Sequence, residues 1–73
     1  MRLHSRRQQE NESVQALAAD ILSMCSLAYQ NLSPDTQERF AVQHFIDAIK
    51  DQDERLQLRR DKPRTMDEAL SCL

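Results

Sequence analysis

Apolar residues recur at three- and four-residue steps along most of this chain, the spacing that lines one face of an α-helix. The longest such stripe is Val14, Leu17, Ala18, Ile21, Cys25 and Ala28, widened by Leu22 and Tyr29. It predicts a first helix over 13–29. Asn11 or Ser13 can cap its start, because a short side-chain oxygen accepts a free N–H of the first turn. Asn31 is expected to close it in the left-handed conformation, with Leu32 folded back onto the last turn. A second helix is predicted over 34–49. Ser33 is its N-cap, Pro34 sits where no N–H is missed, and Asp35 meets the positive end of the helix dipole. Ala41, Phe45 and Ala48 share its apolar face, with Val42, Ile46 and Ile49 beside them. Phe40 lies to one side with Thr36, Arg39 and Gln43. A third helix over 52–60 opens on Asp51 and Glu54, a variant of the capping box, and stops because Pro63 disfavours helix at Lys62. Leu56 is expected to be its core residue, with Leu58 on a different face. Thr65 and Glu68 form a Thr-x-x-Glu capping box for a fourth helix over 65–73 that buries Met66, Ala69, Leu70 and Leu73. Residues 1–12 are mostly polar and read as a linker followed by an opening turn.

The fold class predicted is all-α, a small four-helix bundle in a single domain. The chain has 73 residues and no glycine. Glycine-rich phosphate loops and dinucleotide fingerprints, which need backbone that only glycine supplies, are therefore excluded. So are Asn-Gly hairpins. A domain of this length buries only about 60% of the surface its unfolded chain exposes, so it needs support from a disulfide, a metal or self-association. Cys25 and Cys72 are the two cysteines. They read as half-buried free thiols in a reducing compartment. Together with His4 and His44, both expected to face solvent, they lack the close paired spacing of a metal site. Self-association is the remaining stabiliser.

The candidate chemistry is sparse. His44 has no nucleophile or carboxylate placed to orient it as a base. Asp47, Asp51, Asp53 and Glu54 lie at helix ends and read as solvated caps rather than paired catalytic carboxylates. The chain is therefore expected to be no enzyme, with no cofactor, no metal and no small-molecule substrate. Its net charge is −2, which gives no global attraction to nucleic acid, and no apolar run approaches the ~20 residues that span a membrane. One stretch is strongly basic: Arg55, Arg59, Arg60, Lys62 and Arg64, interrupted by Asp61. Arg59, Arg60, Lys62 and Arg64 are candidate contacts for a polyanion, but no aromatic residue is interleaved to stack on bases, so nucleic-acid binding is not expected here. Periodicity alone leaves open whether Phe40 is extra core or an exposed interface anchor of the kind that sits beside arginine.

The segment that introduces the first helix carries a more specific signal. Gln8-x-x-x-Glu12-x-Val14-x-x-Leu17-Ala18-x-x-Ile21 resembles the major homology region that opens the C-terminal capsid domain of retroviral Gag. With Arg6 and Arg7 ahead of it, it looks closer still to Gag of Ty3/Gypsy-type LTR retrotransposons. Leu27-Ala28-Tyr29, the Asn31-Leu32-Ser33-Pro34 turn, Phe45 to Ile49, Arg55-Leu56-x-Leu58 and Pro63 to Leu70 follow in the same order. The resemblance covers nearly the whole chain. It implies a capsid C-terminal-domain-like bundle that drives homodimerisation and assembly of a higher capsid shell, in the cytoplasm within virus-like particles. It also implies a structural brace in which Gln8 and Glu12, with Ser13 and Val14, tie the opening turn to the helices by buried hydrogen bonds. Its usual two-fold contact is the second helix, which makes Thr36, Arg39, Phe40 and Gln43 the candidate dimer interface. Two positions depart from the retroviral motif: Gln9 stands where it has glycine, and Asp20 where it has an arginine late in the helix. The network is thus expected to differ, with Asp20 on solvent. Two alternatives share the architecture: a SCAN-type dimerisation module of a transcription factor, and a domesticated Gag-derived adaptor that binds peptides.

Overall fold

A computed structural model describes residues 5–73, and those residues form four helices and no strand. They are α1 (Val14–Ala28), α2 (Pro34–Ala48), α3 (Gln52–Asp61) and α4 (Met66–Ser71). The fold is all-α, as the periodicity predicts. α1 packs most extensively on α2, and α2 also touches α3 and α4. The core gathers around Phe45, which is fully buried with Leu17, Ile21, Cys25, Val42, Ile49 and Leu58. Among the described residues every buried side chain is apolar, so burial alone, at roughly 25 cal/mol per Å² of apolar surface, drives the collapse.

Each helix starts where its capping residue sits. Ser13 Oγ accepts from the Ala16 amide at 3.1 Å, Ser33 Oγ from Thr36 at 3.3 Å, and Thr65 Oγ1 from Glu68 at 3.1 Å. Asp51 Oδ1 accepts from the amides of Asp53 and Glu54 at 2.8 and 3.3 Å. The Thr65 box is displaced by one residue, because the Glu68 carboxylate accepts from the Arg64 amide at 2.8 Å. α2 caps its neighbours as well. Glu38 Oε2 accepts from the Met66 amide at 3.1 Å, which fixes the start of α4.

Several expectations are overturned. α1 ends at Ala28 with Tyr29 as C-cap, and Asn31 is not left-handed; the one positive φ among the described residues is 50° at Lys62. The turn beyond the helix is held by Gln37 of α2, whose Nε2 donates to the carbonyls of Tyr29 and Leu32 at 2.7 and 3.2 Å, while the Leu32 amide donates to the Tyr29 carbonyl at 3.0 Å. The left-handed residue comes at the end of α3, where Pro63 denies Lys62 the helical region.

α3 is turned over relative to the expectation. Leu58 is fully buried and Leu56 is 51% exposed. Two residues two positions apart are about 200° apart around a helix, so only one of them can face the core. Glu54 and Arg55, one turn before Leu58, are half-buried with it. Their aliphatic stems shelter the leucine while their charges reach water. Smaller shifts occur at the helix ends: Ala28, the last residue of α1, is exposed, Leu70 is half-buried against the core, and Leu73, beyond the end of α4, is 40% exposed.

Candidate functional site

The opening turn is clasped to the bundle by a small set of directed bonds. Gln8 reaches the far end of α2: its amide donates to the Ala48 carbonyl at 2.7 Å, and its Oε1 accepts from the Lys50 amide at 3.0 Å. Its Nε2 donates back to the Glu12 carbonyl at 2.8 Å. One side chain thus satisfies backbone groups on both sides of the junction. Glu12 closes the turn itself: Oε1 accepts from the Gln9 amide at 3.1 Å, and the Glu12 amide donates to the Gln9 carbonyl at 3.1 Å. Ser13 then caps α1 and Val14, half-buried, packs against the core.

Arg6 binds the whole arrangement together, and sequence reasoning missed it. Its guanidinium donates to Glu12 Oε2 at 2.5 Å and to Asp20 Oδ2 at 2.9 Å, and also to the Arg7 carbonyl. Asp20 is exposed, as expected, and is also held in an ion pair with Arg6. Arg6 thus links the opening turn to α1 through two carboxylates, Glu12 and Asp20. An exposed pair, Lys50 Nζ with Glu10 at 3.4 Å, flanks the clasp and contributes little.

The hydrogen bond from Arg6 is the main reason the Glu12 carboxyl is held below the ordinary carboxylate range, aided by the Gln9 amide. Arg6 is raised in turn, chiefly by Glu12 and then by Asp20. A depressed carboxyl stabilises the fold above its unfolded-state pKa, and that stability is lost as pH falls through the folded-state pKa. Glu12→Gln should therefore lower the melting temperature at neutral pH, and the gap to the parent should close as the pH falls through and below the ordinary carboxylate range. Thermal melts across that range check it; a gap independent of pH would mean the Arg6–Glu12 pair contributes nothing.

The second-helix patch lies elsewhere on the surface. Arg39, Phe40 and Gln43 are exposed, and Thr36 is half-buried, its hydroxyl 2.9 Å from Ser33 Oγ. Phe40 is 40% exposed. It is propped from beneath by Tyr29, edge to face, with ring centroids 5.0 Å apart. The Tyr29 hydroxyl lies 3.1 Å from His44 Nε2, and the two rings stack at 6.2 Å. His44 is thus a half-buried partner of Tyr29, not a solvent-facing residue. The Phe40 ring has a defined seat and an open face, which limits the entropy lost if a partner covers it.

The basic stretch is less concentrated than its sequence suggests. Arg59 pairs with Asp47 of α2 at 2.8 Å, and Arg55 is half-buried, while Arg60, Lys62 and Arg64 are exposed. Asp47, Asp53 and Glu54 do not converge on one cleft: Asp47 belongs to that ion pair, and Asp53 and Glu54 follow the cap of α3. Among the described residues no group of His, Cys, Asp or Glu is placed to hold a metal. Cys25 is buried rather than half-buried, and burial pushes its thiol up; Cys72 is half-buried and raised by desolvation, then by Asp61. Both are free, and both are less reactive than an exposed thiol. His4 lies outside the described residues. Among the described residues no helix is long and apolar enough to cross a membrane. Comparison with family models, curated proteins and solved structures finds no match.

Proposed function

We propose that this chain is a structural self-association domain of a retrotransposon-like Gag polyprotein, similar to the C-terminal domain of retroviral capsids. Its work would be capsid dimerisation and shell assembly in the cytoplasm, within virus-like particles. The observation that carries the reading is the clasp. Gln8 and Glu12, the residues the homology-region resemblance names, make side-chain bonds that suit such a brace, although these are part-buried or exposed where buried ones were expected. Gln8 joins the opening turn to the end of a helix some 40 residues on, and Glu12 closes the turn itself. The wholly apolar core and the capped helices suit a binding module.

The surface that would meet a second copy is Thr36, Arg39, Phe40 and Gln43. An aromatic residue seated on Tyr29 with an arginine beside it has the composition of an interface centre. Such a patch can be self-complementary about a two-fold axis. Sedimentation velocity over a concentration series tests this. The expected result is a reversible dimer, weakened roughly 30-fold by Phe40→Ala, which corresponds to about 2 kcal/mol, and less by Arg39→Ala. A dimer indifferent to both substitutions would move the contact elsewhere; a strict monomer at high concentration would remove the self-association reading itself.

A further inference from the structure

The outward face of α3 carries an exposed leucine between two unpaired opposite charges. Asp53, Leu56, Gln57 and Arg60 fall at three- and four-residue steps, and all four are exposed. Leu56 is 51% exposed at the middle of this ten-residue helix. Neither Asp53 nor Arg60 makes an ion pair among the described residues, whereas Arg59 next door is engaged by Asp47. Dipole compensation explains why acids lead the helix and bases end it. It does not explain a large apolar side chain left in water between them.

We infer that this face is a second contact between copies of the chain, formed by α3 lying antiparallel on α3 of a partner copy about a two-fold axis near Leu56 and Gln57. The pattern is self-complementary only in that arrangement. With the axis between those two residues, Asp53 of each copy meets Arg60 of the other, and each Leu56 lies across the partner's Gln57. Asp61 falls opposite Gln52, a neutral partner, so no like charges are opposed on the stripe. A parallel arrangement would set Asp53 on Asp53 and Arg60 on Arg60, which charge repulsion disfavours. A nucleic acid would be repelled by the Asp53 end, and an acidic peptide by the same group. The antiparallel pairing also sets the two helix dipoles head to tail.

The contact is small. A ten-residue helix is about 15 Å long, and a pair that short buries far less than the ~1,200 Å² of a stable complex. It would be weak alone and effective inside an assembly held by another contact, where the partner's effective concentration is high. Two different two-fold contacts on one small domain also allow extended growth, which one contact cannot give.

Charge exchange tests this and separates it from the α2 patch. Sedimentation is followed to millimolar concentration at low and high salt, for the parent chain and for Phe40→Ala. Asp53→Arg and Arg60→Asp should each weaken the α3 contact roughly tenfold at low salt, since each opposes like charges. A one-to-one mixture of the two single variants should restore association, because each then meets its opposite, and so should the double exchange Asp53→Arg/Arg60→Asp. The effect should fade at about 1 M salt, where the screening length is about 3 Å. In the Phe40→Ala background the same ranking should appear one step lower in mass, between monomer and dimer. Failure of the α2 reading alone leaves that ranking intact. Single reversals that associate like the parent, a mixture no stronger than its components, or no association at millimolar concentration would each overturn the α3 contact.

Discussion

Leu58→Ala should cost this fold about 3 kcal/mol, whereas Leu56→Ala should cost the monomer no more than about 0.5 kcal/mol. Leu58 is fully buried and is the one buried side chain that α3 contributes to the core. Its removal leaves a cavity that a helix pinned by Asp51 at one end and by the Asp47–Arg59 pair on its flank cannot easily close. Leu56 stands in water and has little burial to lose. A domain of this size has a total stability of roughly 4–11 kcal/mol, so the first substitution removes a large part of it. Urea denaturation of both variants checks the contrast, with the slope confirming that the same surface unfolds. Equal losses would mean that α3 faces the other way, and the α3 contact inferred from Leu56 would fall with it.

Gln8→Ala should cost about 2 kcal/mol, the next largest effect. The side chain makes two hydrogen bonds to backbone groups, each contributing roughly 0.5–1.5 kcal/mol, and its loss leaves the Lys50 amide and Glu12 carbonyl to find water. For a domain this small, about 2 kcal/mol moves the melting temperature by roughly 8–16 °C. Arg39→Ala, on an exposed face, should move it by little. Dimer affinity should rank the two variants in the opposite order. Calorimetry and sedimentation on the same pair of proteins separate a brace from an interface; a Gln8 variant that melts like the parent would reduce the clasp to decoration.

How far the sequence could be read depended on how many residues spoke for each element. α2 has six apolar positions on one broad face, and all six are buried as the spacing predicts. Its Ser33-Pro34 start is equally plain, since each residue answers a specific need of the first turn. α3 has two leucines on opposite sides and no third apolar residue to decide between them. The deciding information lay in Glu54 and Arg55, whose long stems can cover a buried neighbour although their charges suggest the opposite. The end of α1 was misread for a different reason. Asn31 is a reasonable left-handed residue locally, but the turn is instead fixed by Gln37 on the next helix, a contact that no local rule encodes.

The site was legible in outline. Gln8, Glu12 and Ser13 were named from the sequence and are found in one turn, with Val14 behind them. Arg6 was not singled out: it lies two residues ahead of Gln8, and its meeting with Glu12 and Asp20 depends on how the opening turn folds back on α1, which spacing does not encode. His44 shows the limit. Its bond to Tyr29 crosses from α2 to α1, and nothing in the spacing of the two residues fixes that meeting.

The clasp also sets an order of events for the growing chain. Gln8 leaves the ribosome early, but its partners at Ala48 and Lys50 are synthesised some 40 residues later. Closing so long a loop carries an entropic cost that only a docked α1–α2 pair can offset. The opening turn, made before its partners, is therefore among the last parts of this domain to be placed. Until then the opening turn is free to be met by something else, and only a completed second helix can lock it in place.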